Sequence, residues 1–340
     1  MNKAIIDEIF DKTVKKHKIQ DAVLFIENFE GDFSLACTHG NAHLHSPLLM
    51  ASVTKLFTTA SIIILSEQGK LSLDDLLIKY LDKQLLKNLH VFKTVDYTEE
   101  ITISDLLFQT SGLADWYEAG KTKNKVIKQD FSYSFQEMLE KTKAMNARFA
   151  PNSGNKANYS DSNFDLLSEI IEKVTEKPLA CVFDELIFQP LGLKNTYLAS
   201  KDTDFVPDVY HKQTKIHRPH FIISNRGSGG AVTTAQELMI FIKAFFTGAL
   251  FSSQSLTKLS NYRKLMFPML GIQYGGGFMR FPLDGTNTLF RGKGELLGHS
   301  GSTSSFAFYY PQKNLFLVGN FSQMNAMLPF RLLSKLAVKL

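Results

Sequence analysis

A serine becomes a useful nucleophile only beside a group that takes its proton, and Ser52-Val53-Thr54-Lys55 supplies such a pair. Helical i, i+3 spacing puts both side chains on one face. The Ser-x-x-Lys pattern occurs three times, at Ser52–Lys55, Ser153–Lys156 and Ser255–Lys258. Ser153 follows Pro151-Asn152 and precedes Gly154, a turn sequence that holds no register. Ser255–Lys258 lies in a polar stretch, where a hydrated, protonated lysine is no base. Ser52–Lys55 instead opens the apolar run Leu56 to Leu65, apolar almost all round and therefore predicted to be a buried helix. Burial disfavours the ammonium and favours the amine that can accept a proton. A serine at the start of that helix also sits at the positive end of the macrodipole, which favours a developing anion. The same residues fit a capping serine beside a lysine reaching for solvent, so the neighbours must decide.

Two further clusters carry usable chemistry. In Asn158-Tyr159-Ser160-Asp161-Ser162-Asn163 a tyrosine could relay a proton, while Asp161 or Asn163 positions a hydroxyl or the lysine. A polar loop before an amphipathic helix Phe164 to Val174 fits the same residues. In Gly298-His299-Ser300-Gly301-Ser302-Thr303, small residues let a ligand approach an edge strand whose amides can face an oxyanion. His299 could add a donor there, and a glycine turn with an incidental surface histidine fits equally. His43-Leu44-His45 and His217-Arg218-Pro219-His220 lack a helical frame and a third ligand, so no metal is expected. Gly275-Gly276-Gly277 is not followed by Lys-Ser/Thr, and reads as a flexible or close-packed strand segment, not a phosphate loop.

The elements that position these residues come from both ends of the chain. Ile5, Ile6, Ile9, Phe10 and Val14 predict a helix over residues 4–17, followed by strands at Ala22 to Glu27 and Phe33 to Thr38. Near the other end, Ser305 to Tyr310 and Leu315 to Asn320 read as strands, and Arg331 to Leu340 as a closing helix. Between them the pattern is helical. Helix starts are expected at Ser72–Asp75, Thr102–Asp105 and Thr233–Glu237, and helix stops at Gly69 and Gly112. One sheet assembled from both ends, a helical second lobe, and a site between them is the architecture this predicts.

Composition narrows the partners. The net charge is +5 over 340 residues, and clusters such as Lys12, Lys15, Lys16 and Lys18 sit among acidic or polar neighbours. That reads as a solvated face, and nucleic acid is not an implied partner. Cys37 and Cys181 give no metal spacing and no disulfide framework, and are expected to be small buried hydrophobes. Lys3, Asp7, Glu8 and Asp11 leave no apolar core for a signal peptide, so a cytoplasmic protein without a membrane span is expected.

Taken in order, Ser-x-x-Lys, Tyr-x-Asp and His-x-Gly resemble the motifs of the serine β-lactamase and penicillin-binding-protein family. The surrounding text is similar to its class C and esterase branch. The similar segments are Ala51 to Thr58 with Glu67 to Asp75, Asp105 to Leu113, Pro190 to Thr196, Gly229 to Ala235 and Tyr274 to Phe278. The resemblance spans roughly residues 45–310. It implies an α/β fold of the β-lactamase/transpeptidase type, as a single catalytic domain. An antiparallel sheet from both chain ends would lie in an α/β lobe (about 1–50 and 225–340), beside a mainly helical lobe (about 51–224). It further implies Ser52 as nucleophile, Lys55 as base, Tyr159 as relay, the backbone amides of Ser52 and Ser302 around the oxyanion, and no cofactor. His299 would stand in place of the third-motif lysine, with Gly301 and Asp161 also at the substrate.

Two departures bear on substrate. Asp161 stands where asparagine is usual, adding negative charge near Lys55 and stabilising its protonated form if close. Ser160-Asp161-Ser162 also aligns with a Ser-Asp-Asn form, but the following Asn163-Phe164-Asp165-Leu166-Leu167 looks like the tyrosine branch. A histidine of ordinary pKa (~6.5) is mostly neutral at pH 7 and holds a substrate carboxylate poorly. Small esters, amides or short peptides without an obligatory carboxylate are therefore the expected substrates of an acyl-enzyme hydrolase. β-Lactams or D-amino-acid peptides form the alternative, and a penicillin-binding-like sensing module with little turnover is the third reading.

Overall fold

The apolar runs at the two ends of the chain become strands of one sheet. In the computed structural model, which describes residues 3–119 and 122–340, Ala22–Asn28 and Ser34–His39 form an antiparallel hairpin. Ala22–Asn28 then pairs with Leu315–Asn320 near the other end, Val23 opposite Asn320. The nine-stranded sheet continues through Phe306–Tyr310, Glu295–Ser300, Met279–Pro282, Gln273–Tyr274 and Arg263–Leu265. It ends on Lys156–Ala157, whose pairing with Arg263–Leu265 is parallel while the other pairings are antiparallel.

Every residue of Leu315–Asn320 is buried, so helices must cover both faces. Alternation along the neighbouring strand shows how. The Phe308 ring lies 6.0 Å from Phe330 on the C-terminal helix Leu328–Ala337. The next residue, Tyr309, faces the opposite way, 5.7 Å from Phe246 on the helix Ala235–Thr247. Each of the buried rings Phe308, Phe330 and Phe246 contributes about 1.5–3 kcal/mol. The N-terminal helix Lys3–His17 packs beside the C-terminal one.

In the helical part, Lys55–Glu67 is buried except at Ile64, Ser66 and Glu67, as its apolar run predicts. Phe57 sits among the rings of Phe183, Phe188 and Phe241 at 5.9, 5.1 and 4.4 Å. Helices Asp161–Thr175 and Pro219–Gly229 pack against it. A small sheet of Pro47–Leu49, Ala231–Thr234 and Tyr197–Leu198 leads the chain into this helix.

Thr102 makes the expected capping box with Asp105, and Thr234 caps its helix by accepting from the Glu237 amide. Other local expectations are corrected. Ser72–Asp75 is a turn, not a helix start: Asp75 accepts from the Ser72 amide, and Leu76 is already extended, bridging to Thr102. The stop after Ile103–Leu107 is Gln109, at φ +60°, not Gly112. Gly112 is needed for space, since a Cβ there would lie 2.1 Å from the Phe149 carbonyl oxygen. The helix expected from Phe164 starts three residues earlier, at Asp161. Cys37 is buried as expected, but Cys181 is exposed. Gly277 is close-packed, its absent Cβ leaving room for Thr59. Among the described residues no helix is long and apolar enough to cross a membrane.

Candidate active site

Ser52 lies in the 3-10 turn Ala51–Thr54 that runs directly into the helix Lys55–Glu67. The turn, not an α-helical start, holds the i, i+3 register. Ala51 is left-handed at φ +45°, a conformation that costs a residue with a Cβ about 1–3 kcal/mol. Flanking bonds hold it there: the Met50 amide donates to the Ala231 carbonyl at 2.9 Å, and Ser305 Oγ donates to the Met50 carbonyl at 2.5 Å.

Lys55 is fully buried and meets three oxygens. Its Nζ lies 3.2 Å from Ser52 Oγ, 2.6 Å from the Ser228 carbonyl oxygen and 2.6 Å from Asp161 Oδ1. The last contact is an ion pair without hydrogen-bond alignment, for Asp161 Oδ1 has no hydrogen-bond partner. Ser228 reaches the lysine because the helix Pro219–Gly229 is kinked at Arg226 (φ 44°, ψ −129°). Arg226 is anchored there by Glu169 and Glu172, and the Gly227 carbonyl accepts from Thr58 Oγ1 at 2.7 Å.

Tyr159 and Asp161 are held by the segment Gln109–Asp115. Gln109 Oε1 accepts from the Ser160 amide at 2.9 Å and from Asn163 Nδ2. Ser111 Oγ donates to Asn163 Oδ1 at 2.7 Å, and Asn158 Nδ2 to the Leu113 carbonyl at 2.8 Å. Asp161 and Asn163 thus stand in the first helical turn, Asn163 as a strut and Asp161 facing the lysine. The Tyr159 ring centre is 5.3 Å from Lys55 Nζ.

The third cluster ends the strand Glu295–Ser300, and here the structure departs from expectation. His299 is fully buried rather than at the surface. Its Nδ1 is 2.8 Å from the Ser300 carbonyl oxygen and its Nε2 is 3.2 Å from the Tyr274 hydroxyl. Burial, and then the Lys55 charge, push His299 down to about 3, so it is neutral: Nδ1–H donates and Nε2 accepts from Tyr274. His299 lies behind the cavity wall, whose surface is Ser300, Gly301, Ser302 and Thr303. The expected direct substrate contact by His299 is therefore not where the geometry puts it. A Cβ on Gly301 would fall 2.6 Å from the Met50 carbonyl oxygen and 3.0 Å from Ala51 Cβ, so only glycine lets this strand end approach the serine turn. Among the described residues the amides of Ser52 and Ser302 donate to no protein group.

These groups open into a cavity of about 530 Å³. Ser52, Tyr159, Asp161 and Ser302 line it, with apolar walls that include Val209, Phe221, Met279 and Phe330. Tyr117 is on the wall, whereas Trp116 is behind it, its Nε1 donating to Asp165 Oδ2 at 3.1 Å. Asp165 lies one turn beyond Asp161, and burial together with the Asp161 charge pushes it up to about 7. An acid with a raised folded-state value holds its proton longer than the unfolded chain, which ionises near pH 4. The contribution of Asp165 to stability is therefore fullest below about pH 4 and falls as pH rises toward about 7, by roughly 1.4 kcal/mol per unit. Asp165→Asn should remove that fall. Urea midpoints of both proteins at about pH 5 and pH 8 check it, and a wild-type-minus-variant difference that stays constant would refute it.

Sequence reasoning missed three contributors. The Ser228 carbonyl is a backbone group and carries no signal in the residue type. Gln109 and Tyr274 lie in segments quoted above for their similarity, which was the available signal.

The fold is shared with a solved D-stereospecific amidohydrolase from Streptomyces, at a TM-score of 0.80, 22% identity and 95% coverage of both chains. It is the fold of the β-lactamase/transpeptidase group. The chain belongs to the Beta-lactamase family, whose model matches residues 36–336. It is 27% identical over 222 residues to esterase EstB of Burkholderia gladioli, covering 61% of this chain and 54% of that protein. It is 28% identical over 208 residues to the D-alanyl-D-alanine-carboxypeptidase/endopeptidase AmpH of Escherichia coli K12, covering 60% of this chain and 50% of that one. The chain thus spans about half the length of these relatives.

Proposed function

We propose that this chain is a serine hydrolase that cleaves ester or amide bonds through an acyl-enzyme on Ser52. The observation that carries the reading is a fully buried lysine amine 3.2 Å from the oxygen of a serine that lines a cavity. Ser52 Oγ attacks the substrate carbonyl carbon while its proton passes to Lys55, with Tyr159 relaying. The carbonyl oxygen, now an anion, is met by the free amides of Ser52 and Ser302. Collapse breaks the bond to the alcohol or amine, which leaves with the relayed proton, and water then attacks the ester on Ser52 by the same route. Family relatives bearing esterase and carboxypeptidase names support the chemistry. A neutral, buried His299 and apolar walls favour an apolar acyl group with no required carboxylate.

The Asp161–Lys55 ion pair favours a second reading. A carboxylate 2.6 Å from the amine competes with Ser52 for it, and a protein in which that competition halts deacylation would be a sensor that acylates once. The test is release of p-nitrophenol from p-nitrophenyl butyrate at early times, with mass spectrometry of the Ser52 peptide. A burst followed by steady release, with the adduct on Ser52, is expected. A burst without steady release selects the sensing module, and release with no adduct on Ser52 overturns both.

A further inference from the structure

Four large apolar side chains stand out in solvent: Phe267, Leu270, Leu289 and Phe290, at 82, 68, 73 and 75% exposure. They lie on two loops, residues 266–272 and 284–292, that touch through a bond from Asn287 Nδ2 to the Gly271 carbonyl at 3.0 Å. Phe267 lines the active-site cavity, and so do Met327 and Phe330. Met327, Phe330 and Leu270 also line a second groove of about 320 Å³. Its other wall carries Lys16 and His17 from the end of the N-terminal helix, and Arg331 and Lys335 one turn apart on the C-terminal helix.

Among the described residues Lys16, Arg331 and Lys335 have no carboxylate partner. His17 is pushed below its ordinary value by burial and then by these three charges, so the cluster is electrostatically unrelieved. Arg291 follows Phe290 directly and Lys293 comes two residues later, while Asp284 is the acid on the same loop. Large apolar side chains gathered in solvent on two adjoining loops mark an interaction surface. A second copy related by a twofold axis through this face would set one basic cluster near another. A surface that is apolar and anionic together satisfies both halves.

We propose that this face seats the protein on an anionic lipid bilayer. Phe267, Leu270, Leu289 and Phe290 enter the boundary between headgroups and acyl chains, and Lys16, Arg331 and Lys335 meet the lipid phosphates. Because Phe267 and Met327 belong to the cavity wall as well, the cavity opens beside the membrane, and apolar substrates reach Ser52 from the interface. The seat itself does not depend on the hydrolase reading.

The experiment is co-sedimentation of the full chain with vesicles of phosphatidylcholine alone and of phosphatidylcholine with phosphatidylglycerol. Wild type should bind the second kind, and more weakly as salt is added. Two double variants, Lys16→Glu with Lys335→Glu and Leu289→Ser with Phe290→Ser, should each lose at least about tenfold in partition, since each basic residue contributes about fivefold. An unchanged circular-dichroism spectrum and unchanged turnover of a water-soluble ester keep loss of folding out of the result. No binding by wild type at low salt overturns the proposal, as does binding indifferent to either double variant. A dimer in sedimentation that Leu289→Ser with Phe290→Ser dissociates, without vesicle binding, reassigns the face to self-association.

Discussion

Ser52→Ala lowers turnover of a p-nitrophenyl ester by about 10⁴-fold or more and abolishes the burst, while the fold is kept. The change removes one oxygen from a half-buried side chain in a turn fixed by its neighbours, so little packing is lost. What disappears is the hydroxyl on the cavity wall that lies 3.2 Å from the buried amine. The amides of Ser52 and Ser302 survive the substitution, so residual activity from oxyanion binding is expected to persist above the rate in water. Steady-state and rapid-mixing kinetics on both proteins check the outcome. Equal rates would remove Ser52 from the mechanism for that substrate.

Lys55→Met lowers the acylation rate by about 10²–10⁴-fold, the usual range for a positioned proton acceptor. It also destabilises the protein, for a separate reason. The amine is the cation facing Asp161 at 2.6 Å, with the buried Asp165 carboxyl one turn further along the same helix. Removing one partner of such a pair leaves the other uncompensated, typically at about 3–5 kcal/mol. The two effects separate in the double variant. Lys55→Met with Asp161→Asn should recover most of the stability, because no ion is left without its counterion, yet recover none of the activity. Asp161→Asn alone should keep activity, since the Ser52–Lys55 contact does not pass through Asp161. Urea titration and acylation kinetics on all four proteins make the comparison. Recovery of activity in the double variant would mean that Lys55 serves only as a counterion.

How much of this was legible in the sequence depended on what carried each feature. The buried helix after Ser52 was written as an unbroken apolar run, and the two hairpins as alternating runs beside turns. Ser52, Lys55 and Tyr159 were legible because motif spacing is local, and the structure brings them together around one amine. The polar stretch around Asp161 did not betray its helix, because serine, aspartate and asparagine favour caps and loops in isolation. Here Gln109 and Ser111 supply the tertiary bonds that make the first turn there. His299 read as a surface donor because small neighbours suggest a turn. Its burial follows from Tyr274 on a strand two places away in the sheet, which no local pattern reports. The basic groove joins Lys16 to Lys335, and charge counting along the chain saw only the first as part of a solvated face.

The pairing of Val23 with Asn320 sets the order in which the chain can fold. At a synthesis rate of about 5–20 residues per second, the first strand waits roughly 15–60 s before its partner leaves the ribosome. Through that interval Leu24 and Ile26, both wholly buried in the finished sheet, have Ser34–His39 as their one strand partner among the described residues. The helices around Lys55–Glu67 meet neighbours closer in sequence and can assemble while the sheet is still half built. Closure of this pair of strands is then a late event, and until Leu315–Asn320 arrives the nascent polypeptide carries an unpaired strand edge along Ala22–Asn28.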